Sequence, residues 1–141
     1  MRNPNQRAGC YWWQDNHFTA KLSFEANKVF SGDNIAEIRA WSAFVARMLQ
    51  MKHQLPLQVL DIVIDEKASP QEVAELKNGK IYLGRKALEN GDVDRVIIAH
   101  EYAHALANQQ TGHSGEKHDQ NFMAALAVVL AVCFDKNPYV L

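Results

Sequence analysis

Four of the chain's six histidines fall in one stretch, VIIAHEYAHALANQQTGHSGEKHDQNF, residues 96–122. His100 and His104 stand four residues apart, with Glu101 beside the first. On a helix of 3.6 residues per turn that spacing leaves an offset of only about 40° and a rise of about 6 Å. Both imidazoles then point the same way and can share one metal ion. Nitrogen ligands at about 2.0–2.1 Å suit Zn²⁺. From its place one residue past the first ligand, the Glu101 carboxylate can reach a metal-bound water without becoming a ligand. This is the HExxH pattern, with the glutamate as general base for hydrolysis. Around the motif the sequence is otherwise uncharged, as in a helix buried in a core. Two histidines and a glutamate on such a helix would leave several buried polar groups needing partners, and one metal site satisfies them together.

A catalytic zinc site takes three protein ligands and keeps one position open for water. His113, His118, Glu116 and Asp119 are the candidates for the third ligand. HEYAHAL followed by KHDQNF resembles the SprT-like zinc metallopeptidases. Their pattern is HExxH, a loop of about a dozen residues, then a histidine followed four residues later by an apolar residue, often Phe, at the start of a helix. GKIYLGRKAL is similar to the strand that precedes the motif helix in those domains, so the resemblance covers roughly residues 57–130. It implies a zincin-like fold, one Zn²⁺ per chain, His118 as third ligand beside His100 and His104, and Phe122 as the packing partner of His118. Asp119 stands where the family commonly has Gly. Local physics also favours His118, because a ligand at the mouth of a helix has a stiff support. His113, between Gly112 and Gly115, stays open as an alternative ligand or a substrate contact.

The reaction so implied is hydrolysis of a peptide bond in a protein or peptide substrate. Zinc would acidify its bound water, and Glu101 would take the proton and pass it to the leaving amine. A second oxyanion donor is usual, and Tyr82, Arg85, His113 and Tyr139 are candidates. A substrate can add as an extra strand along a sheet edge, with residues 80–83 the expected edge. SprT-like proteins include proteases acting on proteins crosslinked to DNA. This chain lacks the cysteine-rich ribbon many of them carry, and its net charge of −1 gives DNA association no support. The alternatives are an ImmA-like regulatory protease cleaving a repressor and a non-catalytic zinc-stabilised binding module.

The elements that must position these residues read as an α+β domain. SGDNIAEIRAWSAFVARMLQMKHQ, with Ser31 or Asp33 as cap, carries apolar residues at helical spacing and is followed by Pro56. LQVLDIVID, residues 57–65, is rich in β-branched residues and reads as a strand. Asn78-Gly79 predicts a type I′ hairpin between strands near 73–77 and 80–83. RKALEN is a short turn or helix stopping at Gly91. Asp92 opens a helix at about 93–109, and a last helix runs over about 119–134. The expected order is an N-terminal helix, a small and mostly antiparallel sheet, the HExxH helix and a C-terminal helix, forming one domain over 33–141. Residues 1–32 form an irregular or extended segment, with alternation at 18–24 and the aromatic cluster Tyr11, Trp12, Trp13 packing on the core.

At 141 residues the chain fits one domain with one sizeable core, and 48% hydrophobic with 22% charged is ordinary for a globular protein. The two cysteines, Cys10 and Cys133, form no CxxC pair, which predicts free thiols rather than a disulfide framework. A Cys10 thiolate could cap the open zinc position; the plainer reading is a packed or exposed thiol. MRNPNQRAGCYWWQDN has no apolar core of a secretory leader, and the apolar run 122–134 is shorter than the roughly 20 residues that span a bilayer. Both point to a cytoplasmic protein with no membrane partner.

Overall fold

The computed structural model describes residues 29–30, 32–53, 57–112 and 118–134. Expectations for Cys10, Tyr11, Trp12, Trp13, the alternation at 18–24, Ser31, Pro56, His113, Glu116 and Tyr139 lie outside these residues. Among the described residues, four helices and three strands follow in the order α1 (Ile35–His53), β1 (Asp61–Asp65), β2 (Ala74–Lys77), β3 (Lys80–Gly84), α2 (Arg85–Glu89), α3 (Arg95–Thr111) and α4 (Gln120–Phe134). The domain is α+β, and no helix among the described residues is long and apolar enough to cross a membrane.

α1 buries Ile38, Ser42, Val45, Ala46 and Leu49 along one face, the stripe that an amphipathic helix turns to a core. The hairpin forms where Asn78-Gly79 predicts it. Asn78 has φ 53° and Gly79 φ 72°, the two positive angles a type I′ turn demands. β2 and β3 pair antiparallel from Lys77 opposite Lys80 to Ala74 opposite Leu83.

The sheet corrects two expectations. Its order is β1-β3-β2, so β3 is the central strand and not an edge. β1 runs parallel to β3, from Asp61 opposite Lys80 to Asp65 opposite Gly84, so the sheet is mixed rather than mostly antiparallel. The strand read over 57–65 is regular only over Asp61–Asp65. Burial explains the arrangement. Ile81, Leu83 and Gly84 of β3 are buried, whereas β2 has no fully buried residue. The most buried strand takes the middle, where both of its edges are hydrogen-bonded.

Gly84 shows how close the chain passes itself there. Its N–H donates to the Val73 carbonyl at 3.1 Å. A Cβ at this position would run into the backbone oxygen of Glu72. Any side chain would therefore push the approach to β2 away from β3.

The motif helix begins later than its sequence suggests. Asp94, not Asp92, is the N-cap, with extended backbone and a carboxylate that accepts from the Ile97 N–H at 2.9 Å. The reason is a bridge upstream. Val29 pairs with Asp94, and the Phe30 N–H donates to the Val93 carbonyl at 2.8 Å, which holds the chain extended through Val93. α4 starts the same way, with Asp119 accepting from the Phe122 N–H at 3.0 Å. Its buried face, Phe122, Ala125, Leu126, Val129, Leu130 and Val132, packs along α3.

Candidate metal centre

α3 is buried over most of its length, from Val96 to His104 without interruption. His100, Glu101 and His104 are therefore three polar side chains inside a core, only 5%, 3% and 1% exposed. α4 brings the third ring. His118 directly precedes the Asp119 cap, so the hydrogen bond that starts α4 also fixes where that histidine leaves the helix mouth.

The three Nε2 atoms converge. His104 lies 3.1 Å from His100 and 3.2 Å from His118, and His118 lies 3.2 Å from His100. These contacts cannot all be hydrogen bonds between neutral rings. Each such contact needs one donor and one acceptor, and among three atoms with two roles at least two share a role. A cation accepting all three lone pairs removes that conflict. The spacing fits the same reading, since tetrahedral zinc with nitrogen at about 2.0–2.1 Å requires ligand atoms about 3.3–3.4 Å apart. Among the described residues this trio is the group of histidine, cysteine or carboxylate side chains that could hold a metal ion.

Electrostatics keep the ligands available. Burial, and then the neighbouring His104 and His118 rings, hold the His100 pKa well below its ordinary 6.5. The ring stays neutral, the form that binds metals. Oε2 of Glu101 stands 3.9 Å from the His100 Nε2, so the carboxylate faces the point where the ligand atoms meet. His118 is exposed, so the cluster opens to solvent on that side and is closed on the others.

Phe122 has a wider part than that of packing partner to His118 alone. Its ring stacks on His104 at 4.2 Å between centroids and lies 4.8 Å from His100 and 4.9 Å from His118. One fully buried aromatic ring thus contacts all three imidazoles.

The other sequence candidates lie elsewhere. Arg85 donates through Nε and Nη2 to the Glu66 carboxylate and through Nη1 to the Gly32 carbonyl at 3.0 Å, tying the start of α1 to the chain after β1. Tyr82 points to the face of β3 opposite the buried Ile81 and Leu83, beside Asp65, Glu72 and Glu75. The ring cluster contains neither.

Sequence reasoning overlooked the back of α3. Tyr102, two residues from each motif histidine, is fully buried, and its hydroxyl lies 2.6 Å from the Ser42 Oγ. The Leu60 N–H donates to the same phenol oxygen at 2.9 Å, and Ser42 donates to the Leu60 carbonyl at 2.8 Å. A serine on the apolar stripe of α1 was the one signal available.

No protein-family model, curated protein or solved structure matches this chain.

Proposed function

We propose that the chain is a zincin-like, zinc-dependent metallopeptidase with one Zn²⁺ held by His100, His104 and His118. The observation that carries this reading is the convergence of three Nε2 atoms within 3.2 Å of one another beside a buried carboxylate. Bound zinc supplies an acidified water and a Lewis acid for the carbonyl oxygen. Glu101 takes the proton of the attacking water and delivers it to the leaving amine, roles that need a carboxylate near the ligand atoms but not among them. His100 keeps a neutral, ligating ring because it is buried. Phe122 gives the rings an apolar floor, and solvent and substrate approach from the side of His118. A purely structural zinc site closes with a fourth protein ligand and has no use for Glu101; only three such side chains converge among the described residues. The substrate is a protein or peptide chain. Strand addition, if the substrate binds so, belongs to β1 or β2, since β3 is central.

Metal analysis of the purified chain, paired with cleavage of an unfolded protein, tests the proposal. The expected result is one tightly held zinc per chain, cleavage abolished by a chelator and restored by zinc, and loss of most of the metal in His118→Ala. A His118→Ala variant that retains a full equivalent of zinc with wild-type affinity overturns the ligand set.

A further inference from the structure

The front of α3 carries the histidines, and its back carries Tyr102. At 100° per residue Tyr102 lies about 200° around the axis from His100, and His104 another 200° on. The phenol therefore leaves the helix on the side away from the candidate metal centre. What it meets there is a closed ring of hydrogen bonds with one consistent direction. The Leu60 N–H can only donate, and the Leu60 carbonyl can only accept. Ser42 has a single hydroxyl proton, spent on that carbonyl. Tyr102 must then accept from Leu60 and donate to Ser42. The ring of bonds joins three elements, since Ser42 sits on α1 and Leu60 directly precedes β1. Ser42, Leu60 and Tyr102 are all buried, so a lost hydroxyl leaves polar groups without water to replace it.

Geometry turns this tether into a constraint on the site. The histidine Nε2 atoms extend roughly 6 Å from the helix axis, so a 10° rotation of α3 would move them by about 1 Å. A metal site tolerates ligand distances within only about 0.2 Å. Close packing resists large rotations by steric interlock, but apolar attraction is non-directional and does not itself select one angle. A buried hydrogen-bond ring at the back of the helix has fixed directions and little slack.

We propose that Tyr102, through Ser42 and Leu60, is the positioning residue of the histidine centre, setting the rotation of α3 and with it the alignment of His100, His104 and Glu101. This rests on the metal reading above. Tyr102 touches neither metal nor substrate in this role, and its contribution appears in the geometry of the bound ion.

Cobalt titration of the full chain, read from visible absorption bands and from competition with a chelator, provides the test. The wild type is expected to show the intense bands of four-coordinate Co²⁺. Tyr102→Phe and Ser42→Ala each remove one hydroxyl and almost no volume. Both should bind Co²⁺ about tenfold more weakly, the lower end of what outer-shell changes cost, with altered band intensities. Ile38→Val, a buried change elsewhere on α1, serves as control and should lower the melting temperature while leaving the spectrum unchanged. Should Tyr102→Phe fail to fold, Ser42→Ala against Ile38→Val makes the same comparison. Hydroxyl variants with wild-type affinity and spectrum overturn the positioning role and leave the metal site standing. A wild type that binds no Co²⁺ overturns the metal site itself.

Discussion

Replacing Glu101 by Gln keeps the shape of a buried side chain and removes the carboxylate, so zinc should be held more weakly. In the metal-free protein the carboxylate is 3% exposed and faces a His100 ring that burial keeps neutral. In the zinc form the same charge lies near a dication, with Oε2 3.9 Å from one ligand atom. A unit charge about 4 Å from a dication interacts by about 8 kcal/mol at an effective dielectric constant of 20, which bounds the effect from above. Outer-shell substitutions cost 10–100-fold in metal affinity, about 1.4–2.8 kcal/mol. Glu101→Gln should therefore still fill with zinc at micromolar concentrations but hold it 10–100-fold more weakly. At equal free zinc, the metal-induced rise in melting temperature should be smaller by about 4–8 °C, taking about 3 °C per kcal/mol. Calorimetric melts of both proteins, with and without zinc, read all four states without any need for a substrate. Peptide cleavage, where measurable, should fall by about 10²–10⁴. Equal zinc affinity would refute the placement of the carboxylate. Complete loss of zinc would make Glu101 a ligand rather than a base.

Acidification should destabilise the metal-free protein. The His100 pKa is lowered on folding, so below 6.5 the unfolded chain binds a proton that the native state refuses, and stability falls with pH. Melts from pH 8 to 5 should show a limb below pH 6.5 of up to about 1.4 kcal/mol per unit from this group, flattened in His100→Gln. Phe122→Ala removes a fully buried ring and should cost about 3–5 kcal/mol in denaturant unfolding of the metal-free chain. Gly84→Ala should cost about 1–3 kcal/mol, because its Cβ collides with the Glu72 carbonyl and not with a yielding side chain; a melting temperature equal to wild type would refute the close approach.

Local signals carried most of what the sequence disclosed. Asn78-Gly79 specifies its hairpin by backbone angles alone, and the i, i+4 histidines need only one helical turn. His118 and Phe122 became legible through a resemblance, whereas the contact of Phe122 with all three rings depends on how α4 crosses α3. The partner of β1 was hidden because an apolar run announces a strand but not its neighbour. The start of α3 was misplaced for a similar reason. Asp92 and Asp94 are equally good caps in sequence, and the choice is made by the pairing of Val29 and Phe30 with residues more than 60 positions away. Gly84 and the Ser42–Tyr102–Leu60 ring are likewise products of tertiary approach.

The two sides of α3 also differ in how far along the chain their contacts reach, which sets an order of assembly. His104 and His118 are 14 residues apart, whereas Ser42 and Tyr102 are 60 apart. Loop closure over the longer span costs about 1.3 kcal/mol more. The α3–α4 hairpin can therefore close before α1 and β1 dock behind it. A metal ion captured at that stage would clasp a loosely oriented pair of helices, and the later arrival of Ser42 and Leu60 would bring its ligands into register. Metal present during refolding should then accelerate the first phase and leave the docking phase unchanged.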